Sequence, residues 1–178
     1  MNCAVAEGDY SMFDLTQFNE DILIEHQMKV MIIFGCLFGF RGNKEYVNLK
    51  RCNIVTGIYP DNHASFPGWT WWGLDGLSDK TLKLSLKNPY VRDQGELLKY
   101  PVVPNHPEKD IGGCIARFAT KLDACRVTKG TNQNSRVFRR INKAGTGFTN
   151  APKGKNGIRQ DFKVAFKRLG IANYLSIP

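Results

Sequence analysis

A chain of 178 residues is the size of one domain and buries about 70% of the surface its unfolded form exposes, so one core is expected. With 42% hydrophobic and 11% aromatic residues it is too apolar for intrinsic disorder. The net charge of +9 is lopsided, since residues 1–40 hold six acids against Lys29 alone and residues 41–178 hold 24 bases against ten acids. Such asymmetry favours a polyanion partner, because counterion release makes phosphate contacts the main source of nucleic-acid affinity. A solvated basic surface is the plain alternative.

In chain order, residues 1–20 form a polar, acidic lead-in in which Asp14 or Thr16 is suited to cap a helix. From Ile22 to Phe40 apolar residues come too densely for one stripe, which predicts a helix buried on most sides. Gly39 and Gly42 break it, and a short helix over Lys44 to Lys50 follows. Strand-like content appears at Asn53-Ile-Val-Thr, Thr81-Leu-Lys-Leu-Ser-Leu and Leu97-Leu-Lys-Tyr-Pro-Val-Val, predicting a small antiparallel sheet. Pro60 to Ser78, with Trp69, Trp71 and Trp72, reads as an insertion in the first connection. Its tryptophans fit a base-stacking platform or, more commonly, apolar packing of a long loop over the sheet. Ile111, Ile115, Phe118 and Leu122 predict a helix over Ile111 to Cys125. Beyond a polar loop to Asn134, the apolar Val137, Phe138 and Ile141 sit among Arg136, Arg139, Arg140 and Lys143. Residues 145–157 are turn-rich, and a last amphipathic helix runs from Ile158 to Leu169 before Gly170. Helix, small sheet, then helices is α+β in character.

Local motifs for chemistry are sparse. Cys3, Cys36, Cys52, Cys114 and Cys125 are an odd set with no C-x-x-C spacing, which argues against disulfides and zinc, and no metal or cofactor is expected. Gly154-Lys155-Asn156 misses a phosphate loop by Thr149 and Asn156; His26, His63 and His106 share no spacing; no Gly-x-Ser-x-Gly occurs. The N-terminus has no basic n-region, and the apolar run from Val30 to Phe40 is short of the length that spans about 30 Å of hydrocarbon. The expected location is nuclear or cytoplasmic, with no membrane partner.

The segment Ile33-Phe-Gly-Cys-Leu-Phe-Gly-Phe-Arg41-Gly, followed by a short helix with Glu45 and Leu49 and a strand near Ile54, resembles the first arginine box of tyrosine recombinases. Its Phe-Gly-x-Arg-Gly form is closer still to the crypton-derived recombinase-like domains of transposable elements and domesticated host proteins. The stretch Phe148-Thr-Asn-Ala-Pro-Lys-Gly-Lys-Asn156, then a helix and Leu169-Gly-Ile, is similar to what those domains place before their His-x-x-Arg box. The resemblance implies a mainly helical α+β domain with a small antiparallel sheet, like the N-terminal part of a tyrosine-recombinase catalytic domain, over residues 21–178 after the lead-in.

It also implies site residues. Arg41 becomes the phosphate clamp, since a guanidinium matches a phosphodiester with two parallel hydrogen bonds; the competing structural role is a helix-end cap or a pair with Glu45. The family's hairpin lysine falls best on Lys87, with Lys83 as the other choice. Lys83, Arg136, Arg139, Arg140, Lys143, Lys153 and Lys155 are the candidate DNA contacts. The family's His-x-x-Arg and nucleophilic tyrosine belong beyond the Leu-Gly-Ile helix. The sequence holds no His-x-x-Arg, and Tyr174 comes too early to be the nucleophile. Without that tyrosine no phosphotyrosyl intermediate forms, so the expectation is a truncated, transposon-derived domain that binds DNA in recombination or integration and is inactive alone. A protein partner or self-association on DNA is compatible with this. A domesticated, non-enzymatic DNA or chromatin adaptor and a basic RNA-binding protein are the two other readings.

Overall fold

Crowded apolar residues after Ile22 form helix α1, Leu23–Leu37, in the computed structural model, which describes residues 14–40, 43–75, 99–106, 109–125 and 132–171. Val30, Met31, Ile32, Ile33 and Phe34 are each at most 1% exposed. Five consecutive buried residues cover every direction around a helix, so α1 is the centre of the core. The Phe40 N–H then returns to the Phe34 carbonyl at 3.3 Å, which brings the Phe40 side chain back against α1.

Helix α2, Asn43–Asn48, is pinned by Tyr46, whose hydroxyl donates to the Met31 carbonyl at 3.1 Å. The Tyr46 ring meets Phe40, Phe138 and Phe162, so aromatic edges join four parts of the chain. Helix α3, Ile111–Asp123, buries the Ile111, Ile115, Phe118, Leu122 face that its spacing predicts. Asp110 caps it by accepting from the Gly113 and Val103 N–H groups, each at 2.8 Å. Gly112 faces the sheet so closely that an added Cβ would overlap the Tyr100 and Pro101 carbonyl oxygens.

Strands β1 (Ile54–Ile58), β2 (Thr70–Leu74) and β3 (Lys99–Pro101) form an antiparallel sheet in that order, with Ile54 opposite Leu74 and Trp72 opposite Tyr100. Alternation turns Ile54, Leu74, Trp72 and Tyr100 toward the core, where α3 covers β2 and β3. A second antiparallel pair, β4 (Arg139–Ile141) and β5 (Phe148–Pro152), precedes helix α4, Lys155–Arg168. Helix α4 packs on α1 and α2 through Ile158, Phe162, Ala165 and Phe166. Hydrogen bonds from Arg51 N–H to the Ser135 carbonyl and from Val137 N–H to the Leu49 carbonyl tie the approach to β4 onto the chain after α2.

The α+β class and the helices follow the sequence expectation, with ends shifted by at most three residues. Two segments differ. The tryptophan-rich stretch is no plain insertion: Thr70 to Leu74 is the central strand, built from the Thr and Trp residues that suit a pleated, half-buried surface. The basic segment and the turn-rich segment after it combine into the β4–β5 hairpin. The proposed strand at Thr81–Leu86 lies outside the described residues. Asp14 does cap, accepting from Thr16 N–H at 3.1 Å, but it starts a 3-10 turn, Leu15–Gln17, whose Leu15 joins Phe18 in the core. No helix among the described residues is long and apolar enough to cross a membrane.

Candidate nucleic-acid interface

Strand periodicity decides which of the clustered arginines meets solvent. Along β4 adjacent residues point to opposite faces, so Arg139 turns inward, 1% exposed, while Arg140 is exposed. The Arg139 N–H donates to the Gln27 side-chain oxygen at 3.1 Å, its Nε to the Arg136 carbonyl at 2.7 Å, and an NH2 hydrogen to Ser135 Oγ. The expectation that Arg139 contacts DNA is therefore corrected: it organises the main chain before β4 from inside. Arg136 is half-buried and spends one donor on the Asn48 carbonyl at 2.6 Å.

Three of the expected cations converge. Arg140, Lys153 and Lys155 line an open concavity of about 560 Å³ with Gly154, Asn156 and Gly157, where β5 runs into α4. The Lys153 ammonium is held by Asp161, whose carboxyl burial pushes above its ordinary value against the pull of that lysine. Lys153 thus brings no unbalanced charge, whereas Arg140 and Lys155 do. Gly154 has no side chain to cap α4, so the positive end of the helix dipole adds to theirs. Lys143 is exposed in the hairpin turn, which is fixed by bonds from Asn142 N–H to the Gly147 carbonyl and from Thr146 N–H to Asn142 Oδ1. Arg41, Lys83 and Lys87 lie outside the described residues.

The spacing also carries a signal beyond those candidates. Lys155, Arg159, Lys163 and Lys167 recur every fourth residue, a strip winding along one flank of α4 over about 18 Å. Among the described residues no carboxylate pairs with Arg140, Lys143 or any of these four. Other cations are neutralised: Lys29 and Arg117 by Glu20, Arg51 by Asp123, Arg168 by Glu25.

No family model, curated protein or solved structure matches this chain.

A second cluster has the donor atoms of a metal centre, with Glu20, His26 and Cys114 offering ligand atoms within 4.8 Å of one another. Its hydrogen bonds assign those atoms otherwise. Lys121 Nζ stands 3.0 Å from His26 Nδ1, and an ammonium can only donate, so Nε2 carries the ring proton and donates to the Cys114 carbonyl at 3.1 Å. Burial pushes the His26 pKa down to about 4, against the pull of Glu20 and with the charge of Lys121 adding to the fall. Burial also pushes the Cys114 thiol well up. Glu20 is raised by burial, but the hydrogen bonds of Arg117 and Lys29 and the charge of Lys29 win and hold it at about 2. An imidazole with both ring nitrogens engaged, a thiol whose ionisation burial opposes and a carboxylate already shared by two cations do not suit a divalent ion. The cluster joins the lead-in, α1 and α3 as an internal lock.

Proposed function

We propose that this chain binds double-stranded DNA through phosphate contacts from Arg140, Lys155 and the cationic strip of α4, as a recombinase-like DNA-binding domain. What carries the reading is the distribution of neutralised charge: acids satisfy the cations between elements and leave those of β4 and α4 unmatched on one flank. A strip of about 18 Å passes several phosphates of one strand, which rise about 3.4 Å per nucleotide. The recombinase likeness assigns a clamped phosphate to Arg41 and Lys87, which lie outside the described residues. The sequence supplies no His-x-x-Arg, so the function proposed is binding in recombination or integration, with strand cleavage assigned to none of its residues.

Anisotropy titration with a short labelled duplex tests the reading. Replacing Lys155, Arg159 and Lys163 together by Gln is expected to weaken binding tenfold or more near physiological salt, by roughly one counterion-release contribution per lost contact. Arg41→Ala is expected to cost about 1–3 kcal/mol of affinity with thermal stability unchanged. Unchanged affinity in the triple variant overturns the assignment of the α4 flank.

A further inference from the structure

The outer surface of the three-stranded sheet carries aromatic residues that the core does not use. Tyr59, His63, Phe66 and Trp69 touch in series around the β1–β2 loop, with ring centroids 4.4 to 5.8 Å apart, and none joins the central hydrophobic cluster. Trp69 is 40% exposed. The loop is held rigid by its own hydrogen bonds: Tyr59 N–H to the Trp69 carbonyl at 2.8 Å, Gly68 N–H to the Tyr59 carbonyl at 3.2 Å, and the Ser65 and Phe66 N–H groups to His63 Nδ1. Beside it Trp71 lies flat over Gly57, where any Cβ would strike the indole. Lys99 Nζ sits 5.0 Å above the Tyr59 ring and 5.1 Å above Trp71. No carboxylate among the described residues pairs with it.

We propose that this shelf is a binding site for single-stranded nucleic acid, stacking an unpaired base on Trp69, which leans on Phe66, while Lys99 meets the adjoining phosphate. The chemistry selects the strand state. A preformed, exposed aromatic surface beside an unpaired cation is what base stacking requires, and it gains nothing from a duplex, whose base faces are already stacked. Charge separates the two in the same direction: Lys99 is one cation over these rings, too little positive charge to hold a duplex by phosphates alone. Rigidity favours binding because little loop entropy is lost. The site lies on β1, β2 and β3, apart from the β4 and α4 cations, and stands whether or not those hold duplex DNA.

The test uses the full chain with a labelled oligothymidylate of about 12 nucleotides, within the usual range of single-strand site sizes, and a duplex of equal length. Trp69→Ala is expected to weaken oligothymidylate binding roughly tenfold or more, the usual loss for one stacked base, with duplex binding unchanged. Trp69→Phe keeps most of the affinity, and Lys99→Gln lowers both the affinity and its salt dependence. Tryptophan fluorescence is quenched by the oligomer in the parent and less so in Trp69→Ala. Arg140→Gln with Lys155→Gln shows the opposite selectivity, which separates this site from the proposed duplex face. Three outcomes overturn the proposal: no binding of oligothymidylate, equal loss of both ligands in Trp69→Ala, or a Trp69→Ala effect confined to self-association in sedimentation or to binding of a proline-rich peptide.

Discussion

Arg139 and Arg140 differ by one position in sequence and by opposite roles in the fold. Truncating Arg139 leaves the Arg136 carbonyl and Ser135 Oγ without a donor and opens a void, so Arg139→Ala is expected to cost about 2–4 kcal/mol in denaturant unfolding. Duplex affinity, measured where both proteins are folded, should stay at the parent value. His26 gives a second test at this scale. Its folded pKa of about 4 lies below the ordinary 6.5, so between those values the unfolded chain binds the extra proton. Stability from this group is complete above pH 6.5 and is lost as pH falls toward 4, by about 3 kcal/mol in all. Glu20, held at about 2 against an ordinary 4.5, withdraws its contribution in the lower window. Unfolding free energies measured from pH 7 to 4 should fall in the parent and stay nearly flat in His26→Gln. An equal slope in both contradicts the buried neutral imidazole. Neither role is legible in the sequence: the arginine pair needed the phase of a strand, and His26 needed partners 88 and 95 residues away.

Helices were the readable elements, because α1 is a dense apolar run too long for a strand and α3 carries its apolar face at three- and four-residue spacings. Strand β2 was not, since Trp-Trp-Gly-Leu has no period-2 alternation, and its position is fixed by pairing with β1 and β3. The β4–β5 hairpin was hidden for a similar reason, as its strands are short and its register is irregular between Arg139 and Ile141. The cationic strip of α4 was legible in its every-fourth spacing, but that spacing acquires meaning only when no acid is found opposite it. Two helical glycines test how closely elements meet. Gly112→Ala forces α3 away from the β3 backbone and is expected to cost about 1–3 kcal/mol. Gly157→Ala on α4 meets only the Lys153 side chain at 3.7 to 3.8 Å and is expected to stabilise by about 0.5–1 kcal/mol. Thermal melts of the two variants should move in opposite directions.

At the scale of the molecule, the lopsided charge of the sequence becomes a division of labour. The acids near the start of the chain fold against cations of three helices: Glu20 takes Arg117 of α3 and Lys29 of α1, and Glu25 takes Arg168 of α4 at 2.6 Å. Arg168 also covers the Phe18 ring, which closes the lead-in over the core. Those contacts are structural, and among the described residues they leave Arg140, Lys143, Lys155, Arg159, Lys163 and Lys167 of the β4–β5 hairpin and α4 without a carboxylate partner. The salt dependence of duplex binding reads that remainder directly. Plotted as log affinity against log salt, the parent should give a slope of about −4, and the triple Gln variant at positions 155, 159 and 163 should lose between two and three units of it. A parent slope near zero, or a slope untouched by the triple variant, would contradict the claim that this face holds DNA.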